Sequence, residues 1–129
     1  MTPSTKNKGL APKQWRKTRN LLTDGLHISW GCMHIAVGDG RAAVQQHWLP
    51  QLAAFQPDLL LISAGFDAHR EDSMAGMSLQ DEDYRWVTLE LKKLANECCQ
   101  GRIVSMLEGG YALPALARSA FLHVQALVE

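Results

Sequence analysis

From Gly40 onwards the apolar positions of the chain fall into an order of alternating helices and strands. Ala42, Ala43, Val44, Trp48, Leu49, Leu52, Ala53 and Phe55 make a broad helical face. Pro50 is expected to bend or split it, because the ring crowds the carbonyl four residues back. Pro57 and Asp58 end the helix. Leu59-Leu60-Leu61-Ile62-Ser63 follows, apolar at successive rather than alternate positions, which predicts a parallel strand buried on both faces. Ser78 is the expected N-cap of the next helix, with Asp81, Glu82 and Asp83 suited to its positive end. Trp86, Val87, Leu89, Leu91, Leu94 and Ala95 give that helix an amphipathic face running to about Cys99. Gly101 stops it. Arg102 to Leu107 reads as the second strand. Pro114 then opens a last helix, with Leu116, Ala117, Ala120, Phe121, Val124 and Leu127 as its apolar positions.

Helix, strand, helix, strand, helix is an α/β fold, and its strand-helix-strand centre is the parallel crossover unit. Both strands then run the same way. The loops that leave them, Ser63-Ala64-Gly65-Phe66-Asp67-Ala68-His69 and Leu107-Glu108-Gly109-Gly110-Tyr111, should meet at one edge of the sheet. That edge, at the carboxyl ends of the strands, is where open α/β sheets bind ligands. Two strands alone leave unpaired backbone on both sides. The pattern therefore reads as part of a larger parallel sheet, with association as a second way to cover the edges.

Residues 1–38 show no comparable period and are expected to be a separate segment, poorly ordered or unrelated, ahead of an α/β segment at 39–129. Charge follows the same division. Cations and acids balance at thirteen each, yet Lys6, Lys8, Lys13, Arg16, Lys17 and Arg19 precede every acid in the chain. Such a head can serve a nucleic-acid-binding arm. No basic residues interleaved with aromatics follow it, which argues against nucleic acid as a partner. The longest aliphatic run, Leu59 to Ile62, is far too short to span a bilayer, and no secretory pattern is visible, so no membrane association is expected. Cys32, Cys98 and Cys99 have no disulfide-framework spacing and read as reduced thiols of a cytoplasmic protein. His27, Cys32 and His34 could form half of a zinc site, but no matching fourth ligand lies near them.

Candidate chemistry sits in the two loops. Asp67, just past a buried strand, can be a metal ligand or can cap a turn. His69, two residues on, can share that metal or simply hydrogen-bond within the loop. Arg70, Glu71 and Asp72 read as a solvated charge run. Tyr111 can donate a hydrogen bond to a developing oxyanion or can pack over the following helix. Gly109 and Gly110 before it allow backbone angles closed to other residues.

Leu61-Ile62-Ser63-Ala64-Gly65-Phe66-Asp67-Ala68-His69-Arg70, Asp81-Glu82-Asp83-Tyr84 and Leu107-Glu108-Gly109-Gly110-Tyr111 together resemble the C-terminal part of the histone deacetylase superfamily. The likeness is to its bacterial branch of class II-like deacetylases and acetylpolyamine amidohydrolases, and it covers roughly residues 40–128. It implies a partial arginase-like α/β fold and zinc-dependent removal of acetyl groups from acetyl-lysine or acetylated polyamines. By the same resemblance Asp67 is a zinc ligand, Tyr111 is the residue that stabilises the tetrahedral oxyanion, and Gly109 and Gly110 shape the turn presenting it. His69 belongs to the motif but is not a ligand in it. Ser73 stands where many relatives have proline.

The family takes its other two zinc ligands from an upstream Asp-x-His motif and its proton-transfer groups from a His-His pair. No Asp-x-His precedes Asp67 in this sequence, and no two of its histidines are adjacent. The expectation is therefore a truncated, inactive deacetylase segment that does not retain zinc alone. The alternative is a non-catalytic α/β binding module or partner subunit.

Overall fold

A computed structural model of the chain describes residues 40–129. The expected order of elements is present: α1 (Gly40–Ala43), a π-helical turn (Val44–Trp48), α2 (Leu49–Phe55), β1 (Leu60–Ala64), α3 (Asp81–Cys99), β2 (Ile103–Leu107) and α4 (Leu113–Val128). The basic head and the His27, Cys32, His34 group lie outside the described residues. Proline's influence reaches back beyond position 50. The backbone N–H of Leu49 donates to the Val44 carbonyl five residues earlier, widening the helix immediately before Pro50. Pro50 cannot donate to the Gln46 carbonyl and would crowd it in a regular turn, and a wide turn relieves both problems.

Helix α3 starts differently from the sequence expectation. Its N-cap is Gln80 rather than Ser78, with Gln80 in an extended conformation at φ −111°. The Gln80 N–H donates to Asp83 Oδ2 at 2.9 Å, the reciprocal half of a capping box. At the other end Gln100 and Gly101 both turn left-handed, and the Gly101 N–H donates to the Ala95 carbonyl at 3.0 Å. That closure suits glycine.

The strands pair in parallel, from Leu60 opposite Ile103 to Ala64 opposite Leu107. Burial along them alternates, which corrects the expectation of strands covered on both faces. Leu60 is buried and packs with Ala95, Cys99, Leu52, Leu91 and Ile103. Leu61, Val104 and Met106 on the opposite face are exposed. The physical reason is one-sided layering: α2 and α3 reach the sheet through Leu52, Ala95 and Cys99, and α4 reaches the same face through His123. Cys99 is a buried packing residue, and Cys98 Sγ accepts a hydrogen bond from Gln56 Nε2 at 3.4 Å.

Helix α4 shows the largest departure. Its buried positions are Ala115, Ser119, His123 and Ala126, while Phe121 and Val124 of the expected apolar face are exposed. Small residues let α4 approach α3 closely, and His123 finds two polar partners inside. The Thr88 hydroxyl donates to the Tyr84 carbonyl at 2.6 Å, so it must accept from His123 Nδ1 at 2.7 Å. His123 Nε2 then accepts from the Ser105 hydroxyl at 2.8 Å. The imidazole is neutral and ties α3, α4 and β2 together. Burial pushes its pKa below the ordinary 6.5.

Because the folded-state pKa lies below the unfolded one, the unfolded chain binds more protons as pH falls through 6.5. Thermal unfolding midpoints should therefore decline as pH drops from about 6.5 towards 5, and His123→Gln should lack that part of the decline. A slope identical in the two proteins would refute this. Truncating Leu60 to alanine should cost about 2–5 kcal/mol in urea unfolding, because a cavity opens between β1 and α3.

Candidate functional site

The strand ladder continues beyond β1 and β2 into the two loops. Glu108 N–H donates to the Ala64 carbonyl at 3.0 Å, and Phe66 N–H donates to the Gly109 carbonyl at 2.8 Å. This pairing brings the Asp67 loop against the Gly109-Gly110 turn, as the parallel crossover required. A Cβ on residue 109 would lie 2.8 Å from Asp67 Cγ, so only glycine lets the carboxylate sit there. Gly110 has φ +140°, and a Cβ on it would meet Leu116 Cδ1 at 2.9 Å. Among the described residues no hydrogen-bond donor lies on the Asp67 carboxylate, and Asp67 is half-buried.

Tyr111 follows as a residue 63% exposed, so it is not packed over α4. Its backbone is held instead. Asp72 Oδ2 accepts from the N–H groups of Tyr111 at 2.7 Å and Ala112 at 2.9 Å. Asp72 Oδ1 accepts from Met74 N–H at 3.0 Å, and Asp72 N–H donates to the His69 carbonyl at 2.9 Å. The Tyr111 amide, the Met74 amide and the Ala112 amide outweigh burial and hold the Asp72 carboxyl below the ordinary carboxylate range. Asp72 is buried, which corrects its reading as part of a solvated run. Glu71 does remain at the surface, paired with Arg118 at 2.7 Å. The local bond to Met74 is an Asx-turn, which an Asp before Ser73 could have suggested; the bonds to residues 111 and 112 have no signal in the local sequence.

His69 is almost completely buried. Its Nδ1 accepts from Glu71 N–H at 3.1 Å, so the proton is on Nε2, which lies 3.2 Å from Asp81 Oδ1. Both ring nitrogens are engaged, and neither is free to bind a metal. Asp81 also accepts from Ser119 at 2.7 Å and from Arg118 Nε at 2.9 Å. Burial works to raise the Asp81 pKa, but Arg118 and Ser119 together hold it below normal. The Tyr84 hydroxyl donates to the Phe66 carbonyl at 3.1 Å, and burial, followed by the nearby acids, pushes its pKa well up. Tyr84 also packs on the rings of Phe66 and His69, with centroids 5.0 and 6.4 Å away. The loop that carries Asp67 is therefore pinned at Phe66 and again at His69. An open groove of about 670 Å³ borders this network, lined by Arg70, Glu82, Arg118 and Phe121 among others, but neither Asp67 nor Tyr111 lines it.

A catalytic zinc centre needs three protein ligands and an open position. Among the described residues no group of three or more His, Cys, Asp or Glu side chains is placed to hold a metal ion. The chemistry of Asp67 suits one ligand of such a centre, but the described residues do not fit a complete one.

Residues 32–127 match the histone deacetylase domain. The chain is 41% identical over 97 residues to type-2 histone deacetylase 2 of Dictyostelium discoideum, an alignment covering 70% of this chain and 6% of that protein. Its identity to the chloroplastic histone deacetylase 14 of Arabidopsis thaliana is 38% over 88 residues, covering 68% of this chain and 21% of the relative. Among solved structures, the HD domain of HDA15 superposes with a TM-score of 0.61 at 35% identity, over 69% of this chain and 24% of that one. The histone deacetylase Clr3 gives a TM-score of 0.66 at 32% identity, over 78% of this chain and 16% of that one. The chain thus spans about a quarter or less of these relatives. The family is generally zinc-dependent. Matched over most of its length by the family in sequence and by solved deacetylases in structure, the chain belongs to the histone deacetylase domain family.

Proposed function

We propose that residues 39–129 form the C-terminal portion of a deacetylase active site acting on acetylated amines, with acetyl-lysine and acetylated polyamines as candidate substrates. One observation carries the proposal: the Asp67 carboxylate lies against Gly109, two residues before Tyr111, at the carboxyl end of a parallel sheet. In this reading Asp67 is one ligand of a zinc ion whose other ligands lie outside the described residues. Tyr111 donates its phenolic proton to the oxyanion that forms when the acetyl carbonyl is attacked. Gly109 makes room for the carboxylate, and Gly110 sets the turn before the phenol. Reduced Cys98 and Cys99 fit a cytoplasmic setting, and no helix among the described residues is long and apolar enough to cross a membrane.

A specific feature favours a second reading, in which the chain is a partner subunit. Among the described residues, Leu61, Val104 and Met106 form an exposed apolar face on a two-stranded sheet with no further strand at either edge. Another polypeptide packing there would cover it. Sedimentation of the chain as a monomer, unaltered by Met106→Glu, would remove a self-association version of that reading.

The isolated 129-residue chain is expected to hold no stoichiometric tight zinc and to release no acetate from an acetyl-lysine peptide. Mass spectrometry of the native protein and a peptide assay measure both. The positive test is a chimaera in which residues 59–128 replace the corresponding segment of an intact deacetylase. It should remain active, and Tyr111→Phe within it should lower kcat by about 10²–10³-fold with little change in KM. Asp67→Asn should weaken zinc retention. Full turnover by the Tyr111→Phe chimaera would overturn the proposal.

A further inference from the structure

We propose that Asp72 is the residue that positions Tyr111, holding the phenol in place through the backbone rather than through the side chain. The inference rests on the reading of Tyr111 as the oxyanion donor and adds to it a group outside the two recognised loop motifs. With 63% of its surface exposed, Tyr111 gains little positional restraint from packing, and Leu113 beyond it is 69% exposed. The two glycines before Tyr111 make that stretch of backbone permissive. Something else must fix where the phenol stands. A single carboxylate oxygen of Asp72 accepts from two consecutive amides, at 2.7 Å from Tyr111 and 2.9 Å from Ala112. Bonds to an ionised acceptor are about twice as strong as neutral ones.

A turn-forming aspartate needs only its local bond, here from Met74 N–H to Oδ1. The other oxygen of Asp72 reaches across 39 residues of sequence. Asp72 is itself anchored, since its N–H donates to the His69 carbonyl and His69 is tied to Asp81 on the first turn of α3. A continuous path of hydrogen bonds therefore runs from the start of α3 through the Asp67 loop to the backbone of Tyr111. Asparagine cannot replace the carboxylate: with its oxygen towards residues 111 and 112, its amide would face the Met74 N–H, donor against donor.

The chain contains two tyrosines, Tyr84 and Tyr111, so 3-fluorotyrosine labelling yields one buried control and one reporter. Asp72→Asn should shift and narrow the Tyr111 fluorine resonance, while the Tyr84 resonance, which feels the Asp72 charge but not its hydrogen bonds, should move less and keep its width. Amide exchange at Tyr111 and Ala112 should accelerate about tenfold or more, the loss of about 1.4 kcal/mol of protection, with the Phe66 amide within about twofold of wild type. An unchanged Tyr111 fluorine signal, unchanged exchange, or acceleration shared equally with Phe66 overturns the proposal. If the variant does not fold, the wild type still decides. The Tyr111 and Ala112 amide protons must titrate together with the Asp72 carboxyl carbon, with His69 and Tyr84 as the other titratable groups facing it, and amides that titrate independently of that carbon overturn the proposal. None of these readouts needs turnover, so failure of the deacetylase chimaera and failure of this inference are separate results.

Discussion

The parallel pairing of β1 and β2 runs on past the last residues of both strands, and the site depends on that continuation. In a simple crossover the chain leaves each strand end free to diverge. Here Glu108 bonds to Ala64 and Phe66 bonds to Gly109, so the two loops start out as neighbours. The contact is closed by the absence of a side chain at position 109, where the Asp67 carboxylate takes the space a Cβ would fill. Register does the positioning. A shift of one residue would set Gly110, with its positive φ and its own crowding by Leu116, against the carboxylate.

Acids around the site divide into two kinds. Asp72 and Asp81 are committed to structure, each with both oxygens engaged by amides, a hydroxyl, the His69 ring or a guanidinium. Their ionised forms are favoured because those donors outweigh the cost of burial. Asp67 has no such donor among the described residues. A carboxylate at a sheet edge without an internal partner is chemically available, while a carboxylate bound to two amides is a clamp. The same distinction separates the histidines, since the ring nitrogens of His69 and His123 are both satisfied internally.

The layering explains both where the core of the described residues lies and why one face of their sheet is exposed. Helices α2, α3 and α4 contact the same side of the sheet, and the polar His123 bridge joins α3, α4 and β2 where aliphatic packing would be usual. Such a bridge contributes only while every member is satisfied and the ring is neutral. The other side of the sheet keeps Leu61, Val104 and Met106 exposed, an apolar composition that belongs to strands covered on both sides.

Periodicity and turn residues alone determined the order of elements: Pro57, Gly101 and Pro114 punctuate the chain through local backbone chemistry, and strand-helix-strand leaves only a parallel crossover. The pairing of the Asp67 loop with the Gly109-Gly110 turn was legible for the same reason. What the sequence could not decide were choices between neighbours distant in the chain. The inward face of α4 was misread because its apolar stripe outweighs Ser119 and His123 until Thr88 and Ser105 are known to lie opposite. Gln80 replaced Ser78 as the cap because capping depends on the conformation at which the helix is entered, which is set by the loop before it. Asp72 looked solvated because its decisive partners, the amides of residues 111 and 112, come next to it only when the sheet has formed. Local chemistry settles elements; a hydrogen bond between groups some forty residues apart exists only in the folded chain.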